Sequence, residues 1–128
     1  MADSSYIVEG LLSKKENLSK DQIITPQLAV YEVANAIWKQ DCLLKKLQDG
    51  QVYLGYFYGL VDSGKIVVMH PNENLMHESY LMAKGNNIAM YDSIFICLAI
   101  KLGLTLKTLD NRQAKIFENL NKKQSRVH

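Results

Sequence analysis

Long apolar runs, paired cysteines and clustered histidines are all missing from this chain, and each absence closes off a class of function. The longest uninterrupted apolar run, residues 94–100, has seven residues, against the ~20 that a helix needs to span a bilayer. No membrane association is expected. The two cysteines, Cys42 and Cys97, are 55 positions apart and lack metal-ligand spacing. Both fall in apolar helical stretches, so they are expected to be small buried hydrophobes in a reducing compartment. Neither has the electropositive, exposed surroundings of a reactive thiol. Of the three histidines, His70 precedes a proline in a turn, His77 lies on a helix and His128 is terminal. None pairs with another at ligand spacing. The N-terminus lacks the charged region, apolar stretch and cleavage site of a secretory signal, and the expectation is a cytoplasmic protein. There is no internal repeat and no low-complexity linker.

What is present is a chain of 128 residues, 48% apolar, which is one domain's worth of core. Its net charge of +2 is unevenly spread. Residues 101–128 carry seven Lys/Arg against two acids, and residues 1–100 carry eight against eleven. A basic end beside an acidic remainder fits an enzyme that attracts a polyanion and still holds a cation. The plainer alternative is a solvated basic tail formed by Lys122, Lys123 and Arg126.

Strand-like and helix-like segments alternate. A first helix is expected over Ser4–Leu12 and a polar loop over residues 14–20. A short strand over residues 22–25 follows, and Thr25-Pro26 reads as a cap plus proline at the first helical position. The helix after it has Val30, Val33, Ala34, Ile37 and Trp38 on one stripe and runs to about residue 47. Further helices are expected over residues 49–62, 72–84, 90–102 and 111–120, with strands over 65–69 and 104–109. The helix over 90–102 is apolar almost all round and should be buried on most sides. Strands alternating with helices imply βαβ units and an α/β fold with a parallel sheet. Residues 1–120 form the expected domain, and residues 121–128 a short polar basic tail.

Four acids fall where such a sheet gathers residues at one edge: Asp3, Glu32, Asp92 and Asp110. Ligands of open α/β sheets bind at the carboxyl ends of the strands. Carboxylates brought together there repel one another unless a cation intervenes, which points to a hard ion such as Mg²⁺ or Mn²⁺. Each acid also has a bland reading. Asp3 can cap the first helix, Asp110 with Gln113 resembles a capping box, Asp92 suits a first helical turn, and Glu32 can be a solvated glutamate. The aromatic segment over residues 53–59 admits base stacking. However, Tyr53, Phe57 and Leu60 recur at helical spacing, and Gly55 and Gly59 would permit close helix packing, so a helix–helix or dimer contact is favoured.

The ordered pieces Asp3-Ser4-Ser5, Tyr31-Glu32-Val33-Ala34-Asn35, Tyr91-Asp92-Ser93 and Thr108-Leu109-Asp110 resemble those of the PIN-domain ribonucleases, in particular the VapC-like toxins of toxin–antitoxin pairs. The resemblance spans nearly the whole chain. It implies a three-layer fold with a short, mostly parallel central sheet of three to five strands, flanked by helices on both faces. It also implies a metal-dependent endoribonuclease that hydrolyses RNA phosphodiester bonds with one or two Mg²⁺ or Mn²⁺ ions. Asp3, Glu32, Asp92 and Asp110 would be the metal-binding and catalytic acids, with Ser5, Asn35 and Thr108 as supporting polar groups. A homodimer and a cognate antitoxin that blocks the acidic site are implied as partners. Only Met1-Ala2 precede Asp3, so the strand that positions it is short and its end is expected to fray. The alternative function is a catalytically inactive nucleic-acid-binding or regulatory module with the same fold. A phosphoacceptor receiver domain would need adjacent acids after the first strand, where this sequence has only Asp3.

Overall fold

The computed structural model describes residues 1–13 and 21–127. The polar loop expected over residues 14–20, and His128, lie outside the described residues. In chain order the elements are α1 (Ser4–Leu12), β1 (Ile23–Pro26), α2 (Leu28–Trp38) continued by a π-helical turn (Lys39–Leu43), α3 (Gly50–Asp62), β2 (Ile66–Met69), α4 (Glu73–Asn86), α5 (Met90–Leu102) and α6 (Asn111–Val127). No helix among them is long and apolar enough to cross a membrane.

Local chemistry sets many of the boundaries. The carboxylate of Asp49 accepts from the Gln51 amide at 3.0 Å and starts α3. Gly50 beside it leaves room for its neighbours: a Cβ there would stand 2.8 Å from Asp41 Oδ2 and 3.0 Å from Ile37 Cγ2, so those side chains would have to shift. Asn72 caps α4 by accepting from the Leu75 amide at 2.8 Å. Gly103 ends α5 in the left-handed region with φ +67°, where a side chain would be strained.

β1 and β2 pair in parallel, Ile23 opposite Ile66 through Pro26 opposite Met69. The chain's first residues extend this sheet on the far side of β1. The Ala2 amide donates to the Ile24 carbonyl at 3.0 Å. On its other side Ala2 bridges Lys107 in parallel, with Asp3 N donating to Lys107 O at 3.1 Å and Lys107 N to Met1 O at 2.9 Å. Four parallel segments therefore lie side by side in the order β2, β1, Met1–Asp3, Lys107. Successive residues point to opposite faces of such a sheet, and the two apolar cores follow that alternation. Ala2, Ile23 and Ile66 face a core completed by Ile7 of α1, Val33 and Ile37 of α2, and Phe57 of α3. Met1, Ile24, Met69 and Leu106 face the other, with Leu75 of α4, Phe95 of α5 and Phe117 of α6. This is the expected three-layer α/β arrangement.

Several local expectations give way to tertiary context. Thr25 and Pro26 belong to β1, and α2 begins only at Leu28. Proline has no N–H with which to continue the ladder toward the Ala2 carbonyl. The buried Thr25 hydroxyl donates to that carbonyl instead, at 2.7 Å. The strand expected over residues 104–109 is present as the single parallel bridge of Lys107 to Ala2. The N-terminal segment has few ladder bonds, as expected, and is buried with one neighbour on each edge. The last helix, expected over residues 111–120, runs on through Val127. Cys97 is buried as expected, but Cys42 is exposed, since the π-helical turn carries it away from the core. Phe57 packs in the core, yet Gly55 and Gly59 face open space and bring no helix close.

The Thr25 hydroxyl thus completes the central segment that ends in Asp3. Thr25→Val keeps shape and removes the donor, leaving the buried Ala2 carbonyl unmatched. The expected loss is about 1–3 kcal/mol of unfolding free energy, measured by urea titration. Unchanged stability would show that this bond contributes nothing to the placement of Asp3.

Candidate active site

All four parallel segments point their carboxyl ends to one edge, and the chain leaves that edge through Asp3 into α1, Gln27 into α2 and Asp110 into α6. Asp3 is 5% exposed and caps α1: its Oδ1 accepts from the Tyr6 amide at 3.1 Å and the Ser5 hydroxyl at 2.7 Å. Its Oδ2 accepts a short hydrogen bond from the Thr108 hydroxyl. Thr108 Oγ1 in turn accepts from the Asp110 amide at 3.0 Å, and Ser5 Oγ from the Leu109 amide at 3.1 Å. Hydroxyls that donate to a carboxylate and accept from backbone amides fix both partners in one geometry. Ser5 and Thr108 therefore tie the start of α1 to the turn that precedes α6.

Asp110 caps α6, its Oδ1 accepting from the Arg112 amide at 2.9 Å and the Gln113 amide at 3.2 Å. The capping-box reading of Gln113 holds only for its backbone. Its side chain is buried, spans to the Asp92 carbonyl at 3.4 Å, and lies with Oε1 3.3 Å from Thr108 Oγ1. Asp92 sits in the first turn of α5 but is not its cap; that position is Ala89, which has no side-chain bond to offer. Glu32 lies in the second turn of α2 with Oε1 buried and without a hydrogen-bond partner among the described residues. An unmatched buried carboxylate oxygen is costly and needs an explanation.

The electrostatics join these acids. Burial pushes the Glu32 carboxyl above the usual carboxylate range; a hydrogen bond from Ser4 opposes the rise, and the charges of Asp3 and Asp92 add to it. Burial also raises Asp92, reinforced by Asp110, opposed by Arg112 and reinforced again by Asp3. Glu32 and Asp92 thus each feel other acids of the set. Among the described residues, no group of three His, Cys, Asp or Glu stands at metal-ligand spacing. The donor set is nevertheless all oxygen, with one buried oxygen unmatched, which is the chemistry that a hard divalent cation takes. Asn35 is exposed on α2 and enters none of these hydrogen bonds. Ser4 and Arg112 are the participants that sequence spacing did not single out, and Gln113 was singled out only as part of a cap. A polar residue buried in an otherwise basic helix gives no signal until α5 is packed against it.

A model of the PIN domain matches residues 2–118. Over 101 residues the chain is 29% identical to ribonuclease VapC3 of Pyrobaculum aerophilum, a stretch that covers 77% of this chain and 74% of that protein.

The repulsion has a measurable sign. Glu32 and Asp92 both have higher pKa values folded than unfolded. Such groups add stability below their unfolded pKa and lose it as pH rises through the folded value. In EDTA, the Glu32→Gln/Asp92→Asn double variant should melt higher than wild type at pH 7, and the advantage should vanish as pH falls to about 4. A double variant that melts lower at pH 7 would show that ionising these two carboxyls costs the fold nothing.

Proposed function

The chain belongs to the PIN-domain family, and from that membership we propose that it is a metal-dependent endoribonuclease, with Asp3, Glu32, Asp92 and Asp110 as the acids of its active site. The observation that carries the reading is Glu32, whose buried Oε1 has no hydrogen-bond partner among the described residues and whose carboxyl is set among the charges of Asp3 and Asp92 at the carboxyl edge of the sheet. Stability alone gives no reason to gather these charges, and a divalent cation does. Glu32 and Asp92, which cap nothing, are assigned as the principal ligands that would hold Mg²⁺ or Mn²⁺, and Asp3 and Asp110 would complete the oxygen set. When bound, the ion would supply a lowered pKa for an attacking water and would offset charge on the leaving oxygen. Ser5 and Thr108 hold Asp3 so that its carboxylate cannot swing away, and Gln113 holds the first turn of α5, which carries Asp92. Asn35, one turn beyond Glu32 on the exposed side of α2, is assigned to substrate.

The likeness to a ribonuclease VapC extends the proposal to a toxin with a cognate protein antitoxin, acting in the cytoplasm as a homodimer. Trp38, Leu43, Leu44, Val52 and Tyr56 are exposed about the end of α2 and along α3. That much apolar surface supports contact with another protein chain.

Two measurements test the site. Rising Mn²⁺ should raise the melting temperature of the wild-type protein, by the equivalent of about 2.7 kcal/mol at ~100 times the dissociation constant, and should raise that of Asp92→Asn much less. Asn has almost the shape of Asp, so the fold of the variant should be unchanged while Mn²⁺-dependent cleavage of RNA falls by several orders of magnitude. Wild-type cleavage by a folded Asp92→Asn protein would remove this residue from the site. RNA binding without any cleavage by wild type would favour an inactive module of the same fold.

A further inference from the structure

Helix formation through residues 121–127 turns the basic end of the chain into a defined surface. With ~3.6 residues per turn, Arg112, Lys115, Lys122 and Lys123 fall within an arc of about 100° on α6. All four are exposed, on the side away from Gln113, Phe117 and Leu120. Asn119 is the neutral residue within the arc, and the single acid of α6, Glu118, falls outside it. Lys115, Lys122 and Lys123 enter no ion pair among the described residues, whereas Lys101 is 3.3 Å from Glu78 and Lys107 lies 5.8 Å from the centre of the Tyr6 ring. Arg112 and Lys115, three residues apart, repel one another, and the single acid Glu118, at neighbouring positions to Lys115 and Lys122, offsets only part of the charge.

The stripe starts at the acid cluster. Asp110 caps the helix that bears it, and the Arg112 charge acts on Asp92. From Arg112 to Lys123 the helix rises roughly 16 Å. We infer that this face of α6 carries the phosphate backbone of RNA to and from the acidic edge. The inference rests on the ribonuclease reading and adds the route that the polyanion takes. Lysine and arginine meet phosphates without reading bases, so the stripe supplies affinity and direction and leaves the chemistry to the acids. A membrane surface is the poorer match, because an interfacial helix needs its apolar side free, and that of α6 is occupied: Phe117 is 6% exposed, in the core with Phe95 and Leu106.

The test is a triple variant, Lys115→Gln/Lys122→Gln/Lys123→Gln, compared with a Lys→Arg triple and with wild type. Binding of a fluorescein-labelled single-stranded 20-mer RNA is followed by anisotropy across a salt series, with Ca²⁺ in place of Mn²⁺. Each lost phosphate contact lowers the slope of log affinity against log salt by ~0.7. The Gln triple should therefore lose about 2 in slope, and the Arg triple none. In cleavage assays the Gln triple should show KM raised about tenfold or more at 0.1 M salt with kcat unchanged. An unchanged slope overturns the inference, as does wild-type protein that binds no RNA. So does a Gln triple whose only loss is binding to vesicles containing 30% phosphatidylglycerol. If wild type cleaves RNA and the slope is unchanged, the ribonuclease reading survives and the route falls. If the slope drops but wild type never cleaves, the route survives and the enzyme reading falls.

Discussion

Asp3 is held from three parts of the chain at once: by the Tyr6 amide and Ser5 hydroxyl of its own helix, by the Thr108 hydroxyl from the turn before α6, and by its backbone bond to Lys107. The rest of the acidic edge depends on this fixed point. It exists because residues 1–3 occupy the middle of the sheet, with β1 on one side and Lys107 on the other. A segment so short has few ladder bonds to offer, and the structure supplements them with side chains. Thr25 supplies the donor that Pro26 lacks, and Ser5 and Thr108 bind the loops that follow. Burial of Met1 in one core and Ala2 in the other then anchors the segment on both faces.

Around that point the charges are arranged against local stability. Asp3 and Asp110 earn their places as helix caps, but Glu32 and Asp92 are pushed toward their neutral forms by burial and by their neighbours. The opposite sign is concentrated on α6, one turn away. An acidic edge flanked by a basic helix has little to recommend it as a device for folding. It is well suited to bringing a polyanion up to a cation-holding site.

Much of this was legible in the sequence, for identifiable reasons. The acids could be grouped before any coordinates, because parallel strands put every strand-to-helix junction on one edge, and three of the four lie near such junctions. Ser5 and Thr108 were legible as near neighbours of Asp3 and Asp110. Where local signals met long-range ones, the local signals lost. Thr25-Pro26 has the pattern of a helix start, yet the ladder with Met69 and the demand of the Ala2 carbonyl keep it in a strand. Cys42 lies in an apolar helical stretch, but a π-helical turn shifts the register that the reading assumed. Residues 121–127 were legible only as polar, since the run from Asn121 to Arg126 lacks the apolar spacing that marks a helix. Gln113 could be seen to suit a cap but not to span two helices, because that role needs α5 beside it.

The bond between Thr108 and Asp3 closes a loop of 105 residues. Contacts of such high order form only when most of the chain has already been brought together. The acidic edge is therefore a product of the finished fold, with its first component near one terminus and its last near the other. A partly folded chain contains the individual carboxylates but not their arrangement, and one still missing its final two helices lacks Asp92 altogether. Any activity that needs them together is withheld until the whole domain has assembled, and it disappears again when either end lets go.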